Sequence, residues 1–317
     1  MSDVAMRAVI DRVADFAAAG KHKAVLAPTH LLDTVTSPWL AKDASLTRLL
    51  RTALDARGLQ AVKIYYPLII RSSSLRSHEL RVSLANALGR LPIDALWLRA
   101  HPFGTSTSGP LALKRYMEIC RDLHTTGVPL VAEHSGTVGV ALLAFGCVGG
   151  IESGITISER VNFDGYLQLP DPNNKPFARP ARVYLHDLGA FLEPKDADAF
   201  FEQRGMKSAH GCRDTDCCPR GWKDMTSNAR PHFVLQRARE VAGLSNMPWT
   251  LRAGRYMETF LRPATDRAVK AAELEPKLAT ARKRLEQWRG TLGVDLTSRS
   301  TFSTSLPASG KRLRRSA

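Results

Sequence analysis

Apolar positions recur along the first two thirds of the chain in short blocks of alternating period. Val4, Ala8, Val9, Val13, Phe16 and Ala17 follow helical spacing and Gly20 ends the run, which predicts an opening amphipathic helix. Lys23 to Ala27 then predicts a short buried strand closing on Pro28-Thr29-His30, with a helix from Ser45 to Arg57 capped by Gly58. The unit repeats as a strand over Ala61 to Tyr66, a polar loop from Arg71 to Leu75 and a helix from His78 to Leu88. A third strand, Ile93 to Leu98, runs into Arg99-Ala-His101, and Pro110 opens the next helix at the position where its missing N–H costs nothing. Val128 to Ala132 and Cys147 to Ile151 read as the fourth and fifth strands, ending in Glu133-His134 and in Glu152.

Strands that alternate with helices at intervals of about thirty residues pair in parallel with helices against the sheet. No Gly-x-Gly-x-x-Gly turn or P-loop lysine follows any of them, which argues against a nucleotide-binding sheet. The expected fold is therefore α/β, a TIM-like (β/α) barrel. Arg182 to His186 and Met206 to His210 read as sixth and seventh strands where a closed barrel has eight, so the barrel is irregular or incomplete. Between the fifth and sixth strands, the proline-rich stretch from Ile155 to Arg182 reads as a long functional excursion. The barrel is expected over residues 1–262, a long basic helix over 263–296 and a disordered basic tail over 297–317. On the helix, Leu274, Leu278, Ala281, Leu285, Trp288 and Leu292 form a seam that packs on the domain, in preference to a coiled-coil dimer.

Composition adds a partner to this picture. The chain has 317 residues, 44% hydrophobic and 24% charged, the profile of a globular protein with a sizeable core. It shows no run of eighteen apolar residues, and Met-Ser-Asp-Val-Ala carries an acid where a signal peptide carries bases, so the cytoplasm is the expected compartment. The formal net charge is +15, and residues 251–317 hold fifteen Lys/Arg against six Asp/Glu. A polyanion, DNA or RNA, is the expected partner.

The chemistry concentrates in two places. Three of the five cysteines fall between Cys212 and Cys218, in the pattern His210-x-Cys212-x4-Cys217-Cys218-x13-His232. Thiolate and imidazole donors favour a tetrahedral Zn²⁺ that folds a loop with little apolar surface of its own, and the segment 206–232 reads as a zinc knuckle. Cys212, Cys218 and His232 are the firmest ligands; Cys217 and His210 compete for the fourth place. The second place is the set of strand ends, where His30, Arg99, His101, Glu133, His134, Glu152, His186 and Asp187 describe a cleft suited to general acid/base work or metal-assisted hydrolysis. Ser106 to Gly109, ahead of Pro110, would let a helix N-terminus hold a phosphate.

His210-x-Cys212, Cys217-Cys218 and Arg230-Pro-His232-Phe-Val-Leu-Gln236, followed by Leu244-Ser-Asn-Met-Pro248, resemble the tRNA-guanine transglycosylase superfamily over roughly residues 206–262. That superfamily shows Cys-x-Cys-x2-Cys before its histidine, whereas this chain has His210 first and a longer inner spacing. Gly146-Cys-Val-Gly-Gly-Ile-Glu152 is similar to the strand bearing the family nucleophile, with Glu for Asp, and no Asp-Ser-Gly-Gly-Phe is present for the second carboxylate. The resemblance implies a structural Zn²⁺ and exchange of guanine in tRNA or DNA for a 7-deazaguanine base through a covalent glycosyl-enzyme bond. Glu152 is then the nucleophile and Glu133, or failing it Asp33, the proton-transfer partner. Arg99, His101, His134, His186 and Asp187 are the substrate contacts. The alternative is a catalytically silent nucleic-acid-binding protein on a degenerate zinc-braced barrel. The enzyme requires Glu133 and Glu152 to face one cavity; the binder does not.

Removing residues 297–317 deletes five Arg/Lys and no acid. Nucleic-acid affinity is expected to fall, and the slope of log affinity against log salt to flatten by up to about 0.9 for each phosphate of duplex DNA no longer neutralised. An unchanged slope in a salt titration would place the tail away from the interface.

Overall fold

The computed structural model describes residues 3–104, 109–153, 163 and 181–300. Most of the expected excursion from Ile155 to Arg182, most of the Ser106–Gly109 loop and residues 301–317 of the tail lie outside these. The first helix, α1 (Asp3–Ala19), buries Ile10, Ala14 and Ala17 on one stripe. The next, α2 (Pro38–Ala56), starts earlier than the apolar pattern predicts because Ser37 caps it and Pro38 supplies its first turn.

Six strands form one parallel sheet: β1 (Ala24–Leu26), β2 (Leu31–Leu32), β3 (Lys63–Arg71), β4 (Ala95–His101), β5 (Leu130–Glu133) and β6 (Gly150–Glu152). Their order is β1-β3-β4-β5-β6, with β2 also pairing β3 beyond β1. The sheet curls into a half-barrel; a closed barrel is not formed among the described residues. Even-numbered residues of β3 and β4 (Ile64, Tyr66, Leu68, Ile70, Leu96, Leu98 and Ala100) are fully or almost fully buried. Odd-numbered ones, such as Tyr65, Ile69, Arg71, Trp97 and Arg99, stay half-buried on the opposite face.

Strand β3 runs well past its predicted end at Tyr66, through Pro67 to Arg71. The carbonyls of Tyr65 and Pro67 accept from Ala27 N–H and Thr29 Oγ1, so this side of β3 faces the β1–β2 connection. The missing N–H of Pro67 therefore falls in the gap between β1 and β2, where it removes no ladder bond.

Packed with the sheet are α3 (His78–Leu88), α4 (Pro110–Leu123) and α5 (Thr137–Ala144), and every residue of α5 is buried. Two predicted strands differ. The sixth, β7 (Val183–Leu185), pairs antiparallel with β8 (Ala190–Leu192) in a separate two-stranded sheet. Gly189 in the intervening turn has φ 56, which glycine adopts without strain. The seventh, Met206 to His210, is a short helix. It is α7, following α6 (Pro194–Glu202), and its buried residues Met206 and His210 are spaced by four, a helical and not a strand period.

After the cysteine loop come α8 (Trp222–Ser227), α9 (Ala229–Ser245), α10 (Trp249–Arg255), a π-helical stretch (Tyr256–Leu261), α11 (Arg262–Leu274) and α12 (Ala279–Ser300). The expected single helix over 263–296 is thus two, broken at Pro276, which cannot continue a helix. Leu274 consequently leaves the predicted seam and is 37% exposed. Leu278, Ala281, Leu285, Trp288 and Leu292 are buried in the same core as the sheet, with α12 packed on α11 and α4. Thr297 to Ser300 continue α12, where a disordered tail was expected to begin. No helix among the described residues is long and apolar enough to cross a membrane.

Trp288 is fully buried. Trp288→Ala is expected to destabilise the protein by about 3–5 kcal/mol. Denaturant unfolding at several protein concentrations checks this: a midpoint shift that depends on concentration would assign the seam to a dimer.

Candidate metal centre and strand-end cleft

The loop between α7 and α8 is mostly polar and exposed, but Cys212 and Cys218 are 4% and 2% exposed. Its backbone turns on Asp214, whose carbonyl accepts from Cys217 and Cys218 N–H and whose Oδ1 accepts from Asp216 and Cys217 N–H. These turns bring Cys212, Cys217 and Cys218 to His232 of α9, with one ligand atom from each lying within 4.8 Å of all the others. Cys217 Sγ and Cys218 Sγ are each 3.3 Å from His232 Nδ1 and 3.7 Å from one another.

On the far side of the ring, His232 Nε2 lies 2.9 Å from the Tyr184 carbonyl of β7. A carbonyl can only accept, so Nε2 carries the proton and Nδ1 presents a lone pair to the sulfurs. That is the tautomer a metal-ligating histidine needs. Gln236 Nε2 donates to Cys212 Sγ at 3.4 Å and to Asp214 at 3.3 Å, and Arg239 pairs with Asp214. Burial pushes the Cys212 thiol up to about 11, with Cys217 beside it adding to the shift, and raises that of Cys218 as well. Burial also presses His232 down to about 4, so the ring is neutral at neutral pH. The four residues could hold a metal ion. His210, the competing fifth candidate, lies outside this cluster: its Nδ1 is 2.7 Å from Asp187 Oδ2.

The second group sits at the C-terminal ends of the half-barrel strands. Glu133 on β5 is the register partner of Glu152 on β6, and the Leu98–Ala132 pairing puts Arg99 opposite Glu133. The three share one face and one level of the sheet. Arg99 Nη2 pairs with Glu133 Oε1, and Glu133 Oε2 is buried without a hydrogen bond among the described residues. Glu152 is 27% exposed, and its Oε2 accepts from the His134 main-chain N–H at 3.2 Å, with His134 Nδ1 at 3.6 Å. Glu133, His134 and Glu152 each bring one ligand atom within 4.8 Å of the others. His134 has φ 50, a left-handed conformation that costs a non-glycine residue about 1 kcal/mol or more. Burial lowers the His134 pKa, with Glu152 opposing that shift. A Cβ on Gly149 or Gly150 would meet its neighbours only at ordinary van der Waals distance, so packing within the chain does not demand glycine beside Glu152.

Other predicted strand-end residues fall elsewhere. Asp33 is 74% exposed, paired with Arg71 beyond β2, and four strand spacings of about 4.8 Å separate it from β6. His101 is buried at the end of β4 against Phe163. His186 and Asp187 belong to the β7–β8 turn: the His186 ring is 6.0 Å from that of His232, and Asp187 pairs with His210 and Arg267. His30 is held by the buried Asp43, 2.5 Å from its Nδ1. Asp43 escapes the sequence pattern because it lies in the first turns of α2, which the apolar spacing places later.

Fold and site together define an α/β protein with a curled parallel half-barrel, a strand-end group of Glu133, His134 and Glu152, and a Cys₃His cluster. No protein-family model, curated protein or solved structure matches this chain.

If the four residues hold a metal, purified protein is expected to carry about one ion per chain, and Cys218→Ser or His232→Ala to lower both metal content and melting temperature. Because Cys212 and Cys218 are protonated at neutral pH, the ion displaces thiol protons and its affinity rises with pH. Elemental analysis with competition titrations at several pH values tests both; metal-free protein of equal stability would remove the site.

Proposed function

We propose that this protein is a zinc-containing nucleic-acid base-exchange enzyme, replacing guanine in tRNA or DNA with a 7-deazaguanine. The observation that carries the reading is the convergence of Glu133, His134 and Glu152 at the C-terminal end of a parallel sheet, the position at which half-barrel and barrel folds place their chemistry. Carboxyl groups this close suit covalent glycosyl transfer, in which they stand about 5 Å apart.

Glu152 is the nucleophile. It is the more exposed of the two acids, and the His134 N–H orients it. One of its oxygens attacks the anomeric carbon of the target nucleotide, the glycosidic bond to guanine breaks, and the base leaves with a proton that Glu133 Oε2 passes on from solvent. The incoming base then attacks the same carbon, gives its proton through Glu133 back to solvent and releases the Glu152 carboxylate, so atoms and charge balance. Arg99 fixes Glu133, and the half-buried Tyr65 and Trp97 rings, 5.9 Å apart, give this face an apolar floor.

Zinc is the ion the donor set favours. Three thiolates and an imidazole around Zn²⁺, with bonds of about 2.3 and 2.0 Å, put sulfurs about 3.7 Å apart and sulfur about 3.5 Å from nitrogen. The Cys217–Cys218 and cysteine–His232 separations of 3.7 and 3.3 Å fit that geometry. All four places are filled by protein, so its role is structural.

The Arg99–Glu133 ion pair favours one other reading, in which the carboxylates are structural and the protein only binds nucleic acid. Protein incubated with guanine-containing tRNA or DNA and a 7-deazaguanine decides between them. Wild type is expected to give a denaturation-resistant protein–nucleic-acid complex, Glu152→Gln none, and Glu133→Gln exchange slowed by roughly 10² to 10⁴. Exchange that survives Glu152→Gln would refute the assignment; binding without any adduct in wild type would establish the silent reading.

A further inference from the structure

We infer that the pocket between β3, β4 and α4 is a phosphate site that grips the nucleic-acid backbone beside the Glu133–Glu152 cleft. The inference rests on the nucleic-acid reading above and extends it to the residues that hold the chain. A cavity of about 280 Å³ opens there, lined by Arg71, Ser72, Ser73, Arg76, His101 and Arg115, with Ala100 and Ile119 in its floor. Three arginines thus line one concavity, and no Asp or Glu among the described residues lines it.

Arg71 pairs with Asp33, which is itself 74% exposed. The side chains of Arg76 and Arg115 make no ion pair or hydrogen bond among the described residues, and neither do the hydroxyls of Ser72 and Ser73. Like charges gathered around a cavity repel one another, an unfavourable arrangement that an anion reverses. Guanidinium and hydroxyl groups arrayed around a tetrahedral, acceptor-rich group are the donors phosphate takes, and the planar arginine fork suits it better than a point charge would.

Position selects the source of that phosphate. Arg71 and His101 are register partners, and His101 lies two residues beyond Arg99 on the same face of β4. From His101 to Glu152 the path is two residues along the strand and two strands across, on the order of 12 Å. A short oligonucleotide spans both. Arg76 is exposed and Arg115 half-buried, so among the described residues both arginines are accessible to a chain laid along the strand ends. The shared chemistry also admits the phosphate of a free nucleotide. The net charge of +15 favours the polymer.

The test compares Arg76→Ala/Arg115→Ala with wild type and with Lys63→Ala, which removes an exposed charge at the opposite end of β3. Melting curves establish that each variant is folded. Anisotropy of labelled single-stranded DNA, duplex DNA and tRNA is followed from 50 to 200 mM salt. The double variant is expected to bind about tenfold or more weakly, with a slope shallower by up to about 0.9 per phosphate on duplex and about 0.7 on single strands. Arg76→Lys/Arg115→Lys is expected to keep the slope and only part of the affinity. Lys63→Ala is expected to behave as wild type. Equal weakening in Lys63→Ala, or an unchanged slope in the double alanine variant, would overturn the site. Inorganic phosphate and a nucleoside monophosphate are titrated in parallel; tight arginine-dependent binding of either, with no effect on oligonucleotides, would overturn the backbone assignment. Base exchange measured on the same proteins separates the two ideas: arginine-dependent binding without exchange removes only the catalysis, and exchange with unaltered salt dependence removes only the pocket.

Discussion

The imidazole of His232 is fixed between the Tyr184 carbonyl on one side and the sulfurs of Cys217 and Cys218 on the other. The loop it faces has too little apolar surface to bury, so what orders that loop is the convergence of its cysteines on this ring. The consequences run along α9. One turn beyond His232, Gln236 reaches Cys212, and Arg237 is 5% exposed, held between Glu240 and the hydroxyl of Thr137. Thr137 begins α5, three residues past His134. One helix therefore carries both the nitrogen that faces the thiols and the cation that anchors the turn in which Glu152 finds its main-chain donor. A distortion at the cysteines reaches the cleft through covalent chain and one buried arginine.

The cleft has its own constraint, the parity of the parallel ladder. A polar residue at the end of a strand faces either the helices or the concave side, and a one-residue slip exchanges the two. Arg99, Glu133 and Glu152 are level because Leu98 pairs with Ala132 and Glu133 with Glu152. Three charged groups on one rung are tolerable because the arginine neutralises one acid and a backbone N–H holds the other. The two carboxylates thereby become unequal: Glu133 is immobilised and Glu152 is left half-exposed.

Strands β1, β3, β4, β5 and β6 and the cysteine cluster were legible in the sequence because each rests on local pattern; the two-residue β2 was not. Apolar runs bounded by Gly or Pro mark the strands, and thiols at close spacing mark the loop. What escaped depends on neighbours. Pro67 reads as a strand end, and only the gap between β1 and β2 makes it admissible inside β3. Arg182 to His186 reads as another parallel strand, although the turn His186-Asp-Leu-Gly189 carried a glycine signal for a hairpin. Met206 to His210 is too short for its period to be decisive, and only burial at a spacing of four reveals a helix. The competition between Cys217 and His210 was likewise open in sequence. It turned on Asp187, twenty-odd residues upstream, which takes the His210 ring away from the thiols.

The distribution of basic charge follows from the same packing. Helix α12 buries Leu285, Trp288 and Leu292 and packs on α4, and Arg121 of α4 pairs with Asp295 of α12. Arg115 stands six residues before Arg121 on α4, about 9 Å along the helix axis. Five residues after Asp295, α12 reaches Ser300, and the sequence beyond carries Lys311, Arg312, Arg314 and Arg315 without a single acid. The packing that seats α12 against α4 therefore also fixes the position of Ser300, from which this basic sequence continues. The apolar seam of α12 sets that geometry, so the burial of Trp288 and the placement of the charge are two results of one packing surface.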